Sequence, residues 1–317
     1  MRDPREWTAA DAARYLHMPT AASDKYSRGV VGVRTGSAEY PGAAVLGVEG
    51  AWAAGAGMVR YAGPARAEVI ARRPETVLGV GRVQCWVIGS GTVAASRARE
   101  EERALVELLD GDAPVIVDAG ALDLVGSAAE PGRRAPVVVT PHAGEYARLR
   151  ERLGAGREGG ADDGVDADAD AADTPASVAR TAALLRGTVL LKGARTLVAS
   201  ADGDVLSVRA GTPWLATAGT GDVLAGIIGA IVAADGAQAP DAAAPGLARL
   251  AATGAWIHGA AGRVAAGQLD PEAAATAADL DVCEGLGHPI TALAVAHAVP
   301  RVIGALLRIH GTEMLRP

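Results

Sequence analysis

The stretch TAGTGDVLAG, residues 217–226, places a carboxylate directly before a long apolar run. Gly219 and Gly221 let backbone N–H groups approach a ligand closely, and the positive N-terminus of a following helix favours a phosphate. Asp222 would then lie beside the phosphate, where a carboxylate can accept a proton from an attacking hydroxyl group. A carboxylate that only stabilises the helix dipole is the alternative. The two glycines and the apolar run favour the catalytic interpretation.

Two further motifs carry side chains suited to a polar or anionic ligand. KGART, residues 192–196, follows the apolar run VLL, and a lysine at a strand end can reach a phosphate as a point charge. TPHAGE, residues 140–145, places His142 in a turn after a strand that Pro141 ends. A surface lysine and a histidine with structural hydrogen bonds are the alternatives.

The elements that must position these residues follow a rhythm of short strand, glycine turn and helix. Apolar, β-branched runs end at Asp118, Thr140 and Lys192, and such runs are typical of a parallel sheet buried on both faces. The pattern predicts an α/β fold with a mainly parallel central sheet and helices on both faces. Ligands bind at the carboxyl ends of strands in such sheets, so Asp118, Thr140, His142 and Lys192 are candidates for one cleft.

Domain boundaries are read from changes in this rhythm. TLVAS, ADGD and VLSV after Lys192 predict a hairpin that turns at Asp202–Gly203. Residues 154–175 are acidic and poor in large apolar side chains, which predicts a solvated, mobile loop. Strand-ending motifs continue on both sides of the loop. The chain is therefore interpreted as one domain, residues 25–317, preceded by an N-terminal extension, residues 1–24.

Composition narrows the class of protein. The chain has 317 residues, of which 50% are apolar, and no Phe, so Ala, Val, Leu and Ile must fill the core. A formal net charge of −7 argues against a general nucleic-acid-binding protein. Two cysteines lie far apart, and the charged N-terminus lacks the apolar core of a signal peptide. The longest apolar run has about 12 residues, whereas a membrane-spanning helix needs about 20. Together these features predict a cytoplasmic protein without a membrane span.

WVIGSGTVA, residues 86–94, offers a competing interpretation. Gly89, Gly91 and Ala94 match the G-x-G-x-x-A pattern of dinucleotide-binding Rossmann domains. That pattern should open the first strand–helix–strand unit, whereas another glycine-rich segment, residues 35–59, precedes it here. The sequence contains no Walker A pattern, Cys/His cluster or HExxH motif.

Taken together, the motifs resemble the ADP/ATP-dependent NAD(P)H-hydrate dehydratases of the ribokinase-like superfamily. Seven segments carry the resemblance in this order: TGSAEYPGAAVL, AGAGMV, IGSG, VIVDAGALDLV, TPHAGEYARL, LLKGARTLV and AGTGDVLAGIIGA. The resemblance implies repair of hydrated NADH or NADPH: a phosphoryl group is transferred to the ring hydroxyl, and phosphate then leaves. It also implies ADP or ATP as co-substrate, Mg²⁺ as cofactor and a homotetramer.

The resemblance further implies roles for individual residues. Ala44 in PGAA, Gly91 in IGSG and His142 in TPHAGE would contact the hydrated dinucleotide. Asp222 would contact the substrate hydroxyl as general base. The adenine nucleotide would be held by Gly221 and the KGART segment, which consists of Lys192, Gly193, Ala194, Arg195 and Thr196.

This sequence departs from the family pattern in two places. Gly120 stands where many members have a second acidic residue. Residues 1–24 are too short for the epimerase domain of many relatives, so a separate epimerase, or action on one epimer only, is expected.

The alternative functions are a small-molecule kinase of the thiazole or hydroxymethylpyrimidine type, a non-catalytic nucleotide-binding protein and a Rossmann dehydrogenase.

Overall fold

The computed structural model describes residues 3–126, 133–155, 174–238, 246–277 and 285–314. The strands in these ranges are β1 (Arg5–Glu6), β2 (Val30–Arg34), β3 (Met58–Tyr61), β4 (Val77–Leu78), β5 (Cys85–Ile88), β6 (Val115–Val117), β7 (Val137–Val139), β8 (Thr188–Leu191), β9 (Thr196–Ala199) and β10 (Val205–Val208). The α-helices are α1 (Ala9–Ala13), α2 (Pro41–Ala53), α3 (Arg66–Arg72), α4 (Arg99–Leu109), α5 (Ala143–Arg152), α6 (Pro175–Leu185), α7 (Thr220–Gln238), α8 (Leu247–Ala265), α9 (Pro271–Thr276) and α10 (Ala292–Met314).

All ten strands join one sheet in the order β1-β10-β9-β8-β7-β6-β5-β2-β3-β4. The strands from β8 to β4 in that order run parallel. β9 is antiparallel to both of its neighbours, β8 and β10. The predicted mainly parallel sheet is confirmed, and the predicted hairpin is formed by β9 and β10. Short, continuous Val-rich strands suit this sheet because both of its faces are covered.

Alternate residues of each strand point to opposite faces of the sheet, and each face has its own core. Val87 and Ile116 belong to the core that α1, α2, α7, α8 and α10 complete. Ile88 and Val117, the next residue along each strand, belong to the core formed with α4, α5 and α6. Helices therefore cover both faces of the sheet, as the alternation of strands and helices predicts.

Residues 5–16, within the predicted N-terminal extension, pack on the same core as the rest of the chain. β1 pairs in parallel with β10 at the edge of the sheet. Trp7 is buried, and its indole N–H lies 3.3 Å from Thr253 Oγ1 on α8. Most of the predicted mobile loop, residues 156–173, lies outside the described residues.

Within the described residues, two helices are long and apolar enough, by length and composition, to cross a membrane: Thr220–Gln238 and Ala292–His310. Core helices of folded domains pass the same test. In the first helix, 72% of the apolar window is buried inside the protein, and in the second 44%. A helix that is apolar on all sides suits a core position, and α7 occupies one between α2, α8 and the sheet.

Candidate active site

The four neighbouring strands β5 to β8 end at the same edge of the sheet and bring four polar residues together there. β5 leads to Ser90, β6 to Asp118, β7 to Thr140 and β8 to Lys192. The Asp118 carboxylate is the centre of this cluster. Its Oδ2 accepts from Ser90 Oγ at 2.9 Å, and its Oδ1 accepts from Thr140 Oγ1 at 2.7 Å and Lys192 Nζ at 2.9 Å. The residues expected at strand ends therefore lie in contact, with Ser90 in addition.

The residue after Asp118 has an uncommon backbone conformation. Ala119 has a φ of 46°, in the left-handed region, which costs about 1–2 kcal/mol for a residue with a Cβ atom. Gly120 then passes so close to Thr92 that a Cβ atom on Gly120 would overlap the Thr92 carbonyl oxygen. This arrangement leaves no room for an acidic side chain at position 120, so the other carboxylates near Asp118 come from other elements.

Asp222 lies in the first turn of α7, beside this cluster. Burial, and after it the negative charge of Asp118, raise the pKa of Asp222 to about 7. A hydrogen bond from Ser90 and the charge of Lys192 act in the opposite direction. At neutral pH the Asp222 carboxyl group therefore exists in both protonation states, which suits a group that accepts and returns a proton.

The glycines around Asp222 add no side chains of their own at the N-terminus of α7, and the Leu46 side chain lies against Gly219. Gly219 has a φ of +89°, a conformation that residues with a Cβ atom rarely adopt. Gly221 lies against Lys192, because a Cβ atom on Gly221 would stand 3.5 Å from Lys192 Nζ. The helix N-terminus and a lysine ammonium group thus meet at one place, which suits an anion such as a phosphate.

Lys192 is largely buried at this place, with 22% of its side chain exposed. Its Nζ also lies 3.9 Å from Glu145 Oε2. Burial alone would lower the pKa of Lys192, but the carboxylates of Asp118, Glu145 and Asp222 raise it overall. The ammonium group therefore stays charged inside the cluster, and the alternative of a freely exposed surface lysine does not describe it.

His142 is the N-cap residue of α5. Its Nδ1 accepts from the backbone N–H groups of Gly144, at 3.1 Å, and Glu145, at 3.4 Å. Its own backbone N–H donates to Glu145 Oε2 at 2.9 Å, and a parallel β-bridge joins it to Lys192. Because Nδ1 accepts, the proton of the neutral ring lies on Nε2. The side chain is 58% exposed, so His142 combines a structural cap with a ring accessible beside the cluster.

The glycine-rich segment at residues 35–59 supplies α2, which packs against α7. Gly91 is partly exposed and touches this segment, since a Cβ atom on Gly91 would lie 2.6 Å from Ala43 Cβ. Ala44 is fully buried beneath Gly36. Its predicted contact with the dinucleotide stays a prediction, because Ala44 has no exposed surface in this structure.

The remaining residues of KGART form the connection from β8 to β9. Gly193, Ala194 and Arg195 are exposed in the turn, and Thr196 begins β9. Arg195 also lines a cavity of about 350 Å³ together with Glu6, Trp7, Arg209 and Trp256. The segment therefore extends from the cluster at Lys192 to a second concave surface.

Sequence reasoning missed two polar residues at the site, Ser90 and His258. His258 lies on α8 and is 8% exposed, and within the described part of the chain its Nε2 has no hydrogen-bond partner. Burial lowers the pKa of His258 to about 4, against the effect of a hydrogen bond to the backbone of Thr220. A neutral ring therefore contacts the residue that begins α7. The available signal was a lone histidine in an otherwise apolar helix.

Magnesium can be tested against the donors that are present. In the ranges that the structure describes, no group of three or more His, Cys, Asp and Glu side chains could hold a metal ion. The Asp118 oxygens already accept from three side chains. Mg²⁺ commonly takes most of its ligands from phosphates and water. The site therefore fits a magnesium ion that arrives with a nucleotide better than one held in a cage of protein side chains.

The Rossmann interpretation of Gly89, Gly91 and Ala94 is wrong. The G-x-G turn follows β5, a central strand, and does not open the first strand–helix–strand unit. Ala94 begins a three-residue 3₁₀ turn instead of a phosphate-binding α-helix. Gly89 is needed for packing, since a Cβ atom there would overlap the Asp118 carbonyl oxygen.

Comparison with known sequences gives consistent matches. The family model of the NAD(P)H-hydrate dehydratases matches residues 31–280. The bifunctional NAD(P)H-hydrate repair enzyme Nnr of Mycobacterium tuberculosis is 47% identical over 234 residues, which cover 71% of this chain and 45% of that protein. The chain thus spans about half the length of the bifunctional relatives. The ADP-dependent (S)-NAD(P)H-hydrate dehydratase of Neisseria meningitidis serogroup B is 34% identical over 271 residues, 80% of this chain and 83% of that protein.

Solved structures share the fold. The ADP/ATP-dependent NAD(P)H-hydrate dehydratase of Bacillus subtilis, co-crystallised with ATP and Mg²⁺, aligns with a TM-score of 0.73 at 23% identity, over 96% of this chain and 100% of that chain. A ribokinase-like superfamily protein of Enterococcus faecalis aligns with a TM-score of 0.71 at 22% identity, over 96% of this chain and 97% of that chain. The predicted ribokinase-like fold is confirmed. Together with the sequence match over most of its length, this means that the chain belongs to the NAD(P)H-hydrate dehydratase family.

Proposed function

We propose that this protein dehydrates hydrated NADH or NADPH back to NADH or NADPH, with ADP or ATP as phosphoryl donor. The observation that carries the proposal is the arrangement at the start of α7. Asp222, whose pKa burial raises to about 7, lies beside a glycine-lined helix N-terminus and the charged Lys192. A carboxyl group that titrates near neutral pH is well matched to accepting a proton from an alcohol. Membership of the family supports the substrate class.

In the first step, Asp222 accepts the proton of the ring hydroxyl while the hydroxyl oxygen attacks the terminal phosphoryl group of the nucleotide. The N-terminus of α7 and the backbone around Gly219 and Gly221 stabilise the charge on the transferring group. Lys192 adds a point charge. The phosphate ester then loses phosphate with the help of the ring nitrogen's electron pair. A proton leaves the neighbouring ring carbon, and the reduced nicotinamide is restored.

Other residues support the placement of the two ligands. The exposed turn of Gly193, Ala194 and Arg195, and Thr196 after it, would follow the nucleotide away from Lys192. Gly91 and His142 would lie on the dinucleotide side. Magnesium, when bound to the nucleotide, supplies charge neutralisation at the phosphates.

The direct test mixes the protein with hydrated NADH, ADP and Mg²⁺ and follows the absorbance of restored NADH. We expect one AMP and one inorganic phosphate for each NADH, and no NADH when nucleotide is left out. Replacing ADP with ATP should give ADP as the product and identifies the preferred donor. Formation of a stable phosphorylated alcohol without NADH would contradict the proposal and indicate a small-molecule kinase.

The proposal extends to the setting of the reaction. We expect a cytoplasmic homotetramer, and light scattering of the purified protein tests the assembly.

We also expect an epimerase, in another protein or domain, to supply the reactive epimer. Adding an epimerase should raise the restored fraction of a mixed epimer preparation towards completion, whereas an unchanged fraction would mean that both epimers react.

A further inference from the structure

Asp118 is buried at the centre of the cluster and is 3% exposed. Its three side-chain donors come from the ends of three other strands: Ser90, Thr140 and Lys192. Its backbone N–H donates to the Ile88 carbonyl oxygen at 3.0 Å. A buried carboxylate with this many donors is a fixed negative charge, since charge-assisted hydrogen bonds offset the cost of its burial.

Two of the side chains that bind Asp118 also face the start of α7. Lys192 lies against Gly221, the residue before Asp222. Ser90 donates to Asp118 Oδ2 at 2.9 Å, and its hydroxyl group also acts on Asp222, whose pKa it lowers. A serine hydroxyl has one proton to donate. Ser90 therefore donates to one of the two carboxylates at a time, and donation to Asp222 stabilises its ionised form, which lowers its pKa.

Two other titratable side chains lie near the start of α7. Glu145 on α5 faces Lys192, and the neutral ring of His258 on α8 contacts Thr220. Glu49 of α2 is bound by Arg72 and Arg73, and Arg263 of α8 donates to the Ala210 carbonyl oxygen. Among the described residues, Asp118 and Lys192 are the charges that act on Asp222.

We propose that Asp118 is a positioning residue for the dehydration: it holds Lys192 beside the phosphate site and, through Ser90, keeps Asp222 in place as proton acceptor. This inference rests on the proposed function. The charge of Asp118 also disfavours a second negative charge nearby, so Asp222 binds a proton more readily than an isolated carboxylate would. Asp118 thus acts on the reaction through its neighbours, without touching either substrate.

The pH profile of kcat/KM for dehydration tests this role. Asp118→Asn removes the charge and keeps the shape, so the midpoint of the acid limb should fall by about one pH unit. Looser placement of Lys192 should lower kcat by a factor on the order of 10 to 100. Ser90→Ala should move the midpoint the other way, to higher pH, because the hydrogen bond from Ser90 lowers the pKa of Asp222.

Asp123→Asn is the matched control, since it makes the same chemical change in a carboxylate that pairs with Arg97 at 2.6 Å on the following turn. Its midpoint should equal that of the wild type. Replacing a residue with only a folding role would lower Tm without moving the midpoint of the acid limb. That result for Asp118→Asn would overturn the inference. If Asp118→Asn does not fold, an unmoved midpoint in Ser90→Ala overturns it equally. A wild type without dehydratase activity would overturn the proposed function, and this inference with it.

Discussion

Gly226 of α7 lies so close to Gly47 of α2 that a Cβ atom on Gly226 would overlap the Gly47 carbonyl oxygen. The same two helices also meet at Gly50, where a Cβ atom would overlap the Val223 carbonyl oxygen. Glycine alone permits helices to approach this closely. The contact fixes the N-terminal half of α7, and with it Asp222, against α2, which begins within the stretch YPGAA, residues 40–44.

Gly226→Ala should therefore destabilise the protein. Overpacking of a well-filled core costs about 1–3 kcal/mol, and we expect a loss of that size in the free energy of unfolding measured with urea. Gly42→Ala is the matched control, because Gly42 lies on α2 with no atom within 4 Å of its added Cβ. Alanine favours a helix over glycine by about 1 kcal/mol, so this variant should be no less stable. Equal stability of the two variants would contradict the close approach of the helices.

Asp222→Asn should keep the shape of the site and remove the proton acceptor. We expect kcat for dehydration to fall by a factor on the order of 10² to 10⁴, with a smaller change in KM, because proton transfer belongs to the transition state. Calorimetry should show that ADP still binds, since the glycine backbone and the helix N-terminus remain. A variant that keeps most of its kcat would show that Asp222 is a helix-end residue and that the base lies elsewhere.

The wild-type pH profile follows from the raised pKa of Asp222, about 7. A general base must be ionised, so kcat/KM should reach a plateau above pH 7 and fall by about tenfold for each pH unit below it. ADP affinity measured over the same range shows whether the loss belongs to nucleotide binding. A profile that stays flat down to about pH 5 would mean that the base has the ordinary pKa of an aspartate, about 3.9.

The strand ends of the site could be predicted because local sequence determines them. An apolar run that stops at Asp118, Thr140 or Lys192 marks both the end of a buried strand and the residue beyond it. Parallel strands then place these residues at one edge of the sheet. The hairpin of β9 and β10 followed from its Asp202–Gly203 turn for a similarly local reason.

The missed features depend on contacts between distant parts of the chain. β1 has two residues, and its partner β10 begins only at Val205, so the local sequence pattern carries no signal for the pairing. Ser90 lies between two glycines and reads as a turn residue until Asp118 is placed beside it. The burial of Ala44 depends on Gly36 folding over it. Such relationships arise from packing and not from propensity.

Lys192→Met should weaken ADP binding, because it removes the ammonium group and keeps the apolar stem. A hydrogen bond to a charged group contributes about 1.5–3 kcal/mol, so Kd measured by calorimetry should rise by a factor of about 10 to 100. Lys25→Met is the control, since the Lys25 ammonium lies over the exposed Tyr26 ring instead. Unchanged affinity in Lys192→Met would mean that Lys192 serves only as the partner of Asp118.

His258 should make the stability of the protein depend on pH. Burial lowers its pKa in the folded state to about 4, below the usual value of about 6.5 that it regains on unfolding. Between these values the unfolded chain binds a proton that the folded protein excludes. The contribution is therefore complete above about pH 6.5 and is lost as the pH falls towards 4, by about 3 kcal/mol in all.

His258→Gln removes this titration and leaves every other ionisable group in place. Urea unfolding of both proteins at about pH 7.5 and about pH 4.5 gives, at each pH, the difference in the free energy of unfolding between wild type and variant. The contributions of the other ionisable groups cancel in each difference. We expect the advantage of the wild type over the variant to shrink by about 2–3 kcal/mol at the lower pH. A difference independent of pH would contradict a buried, neutral His258 beneath Thr220. It would mean that His258 has the same pKa in the folded and unfolded states, as a hydrated histidine does.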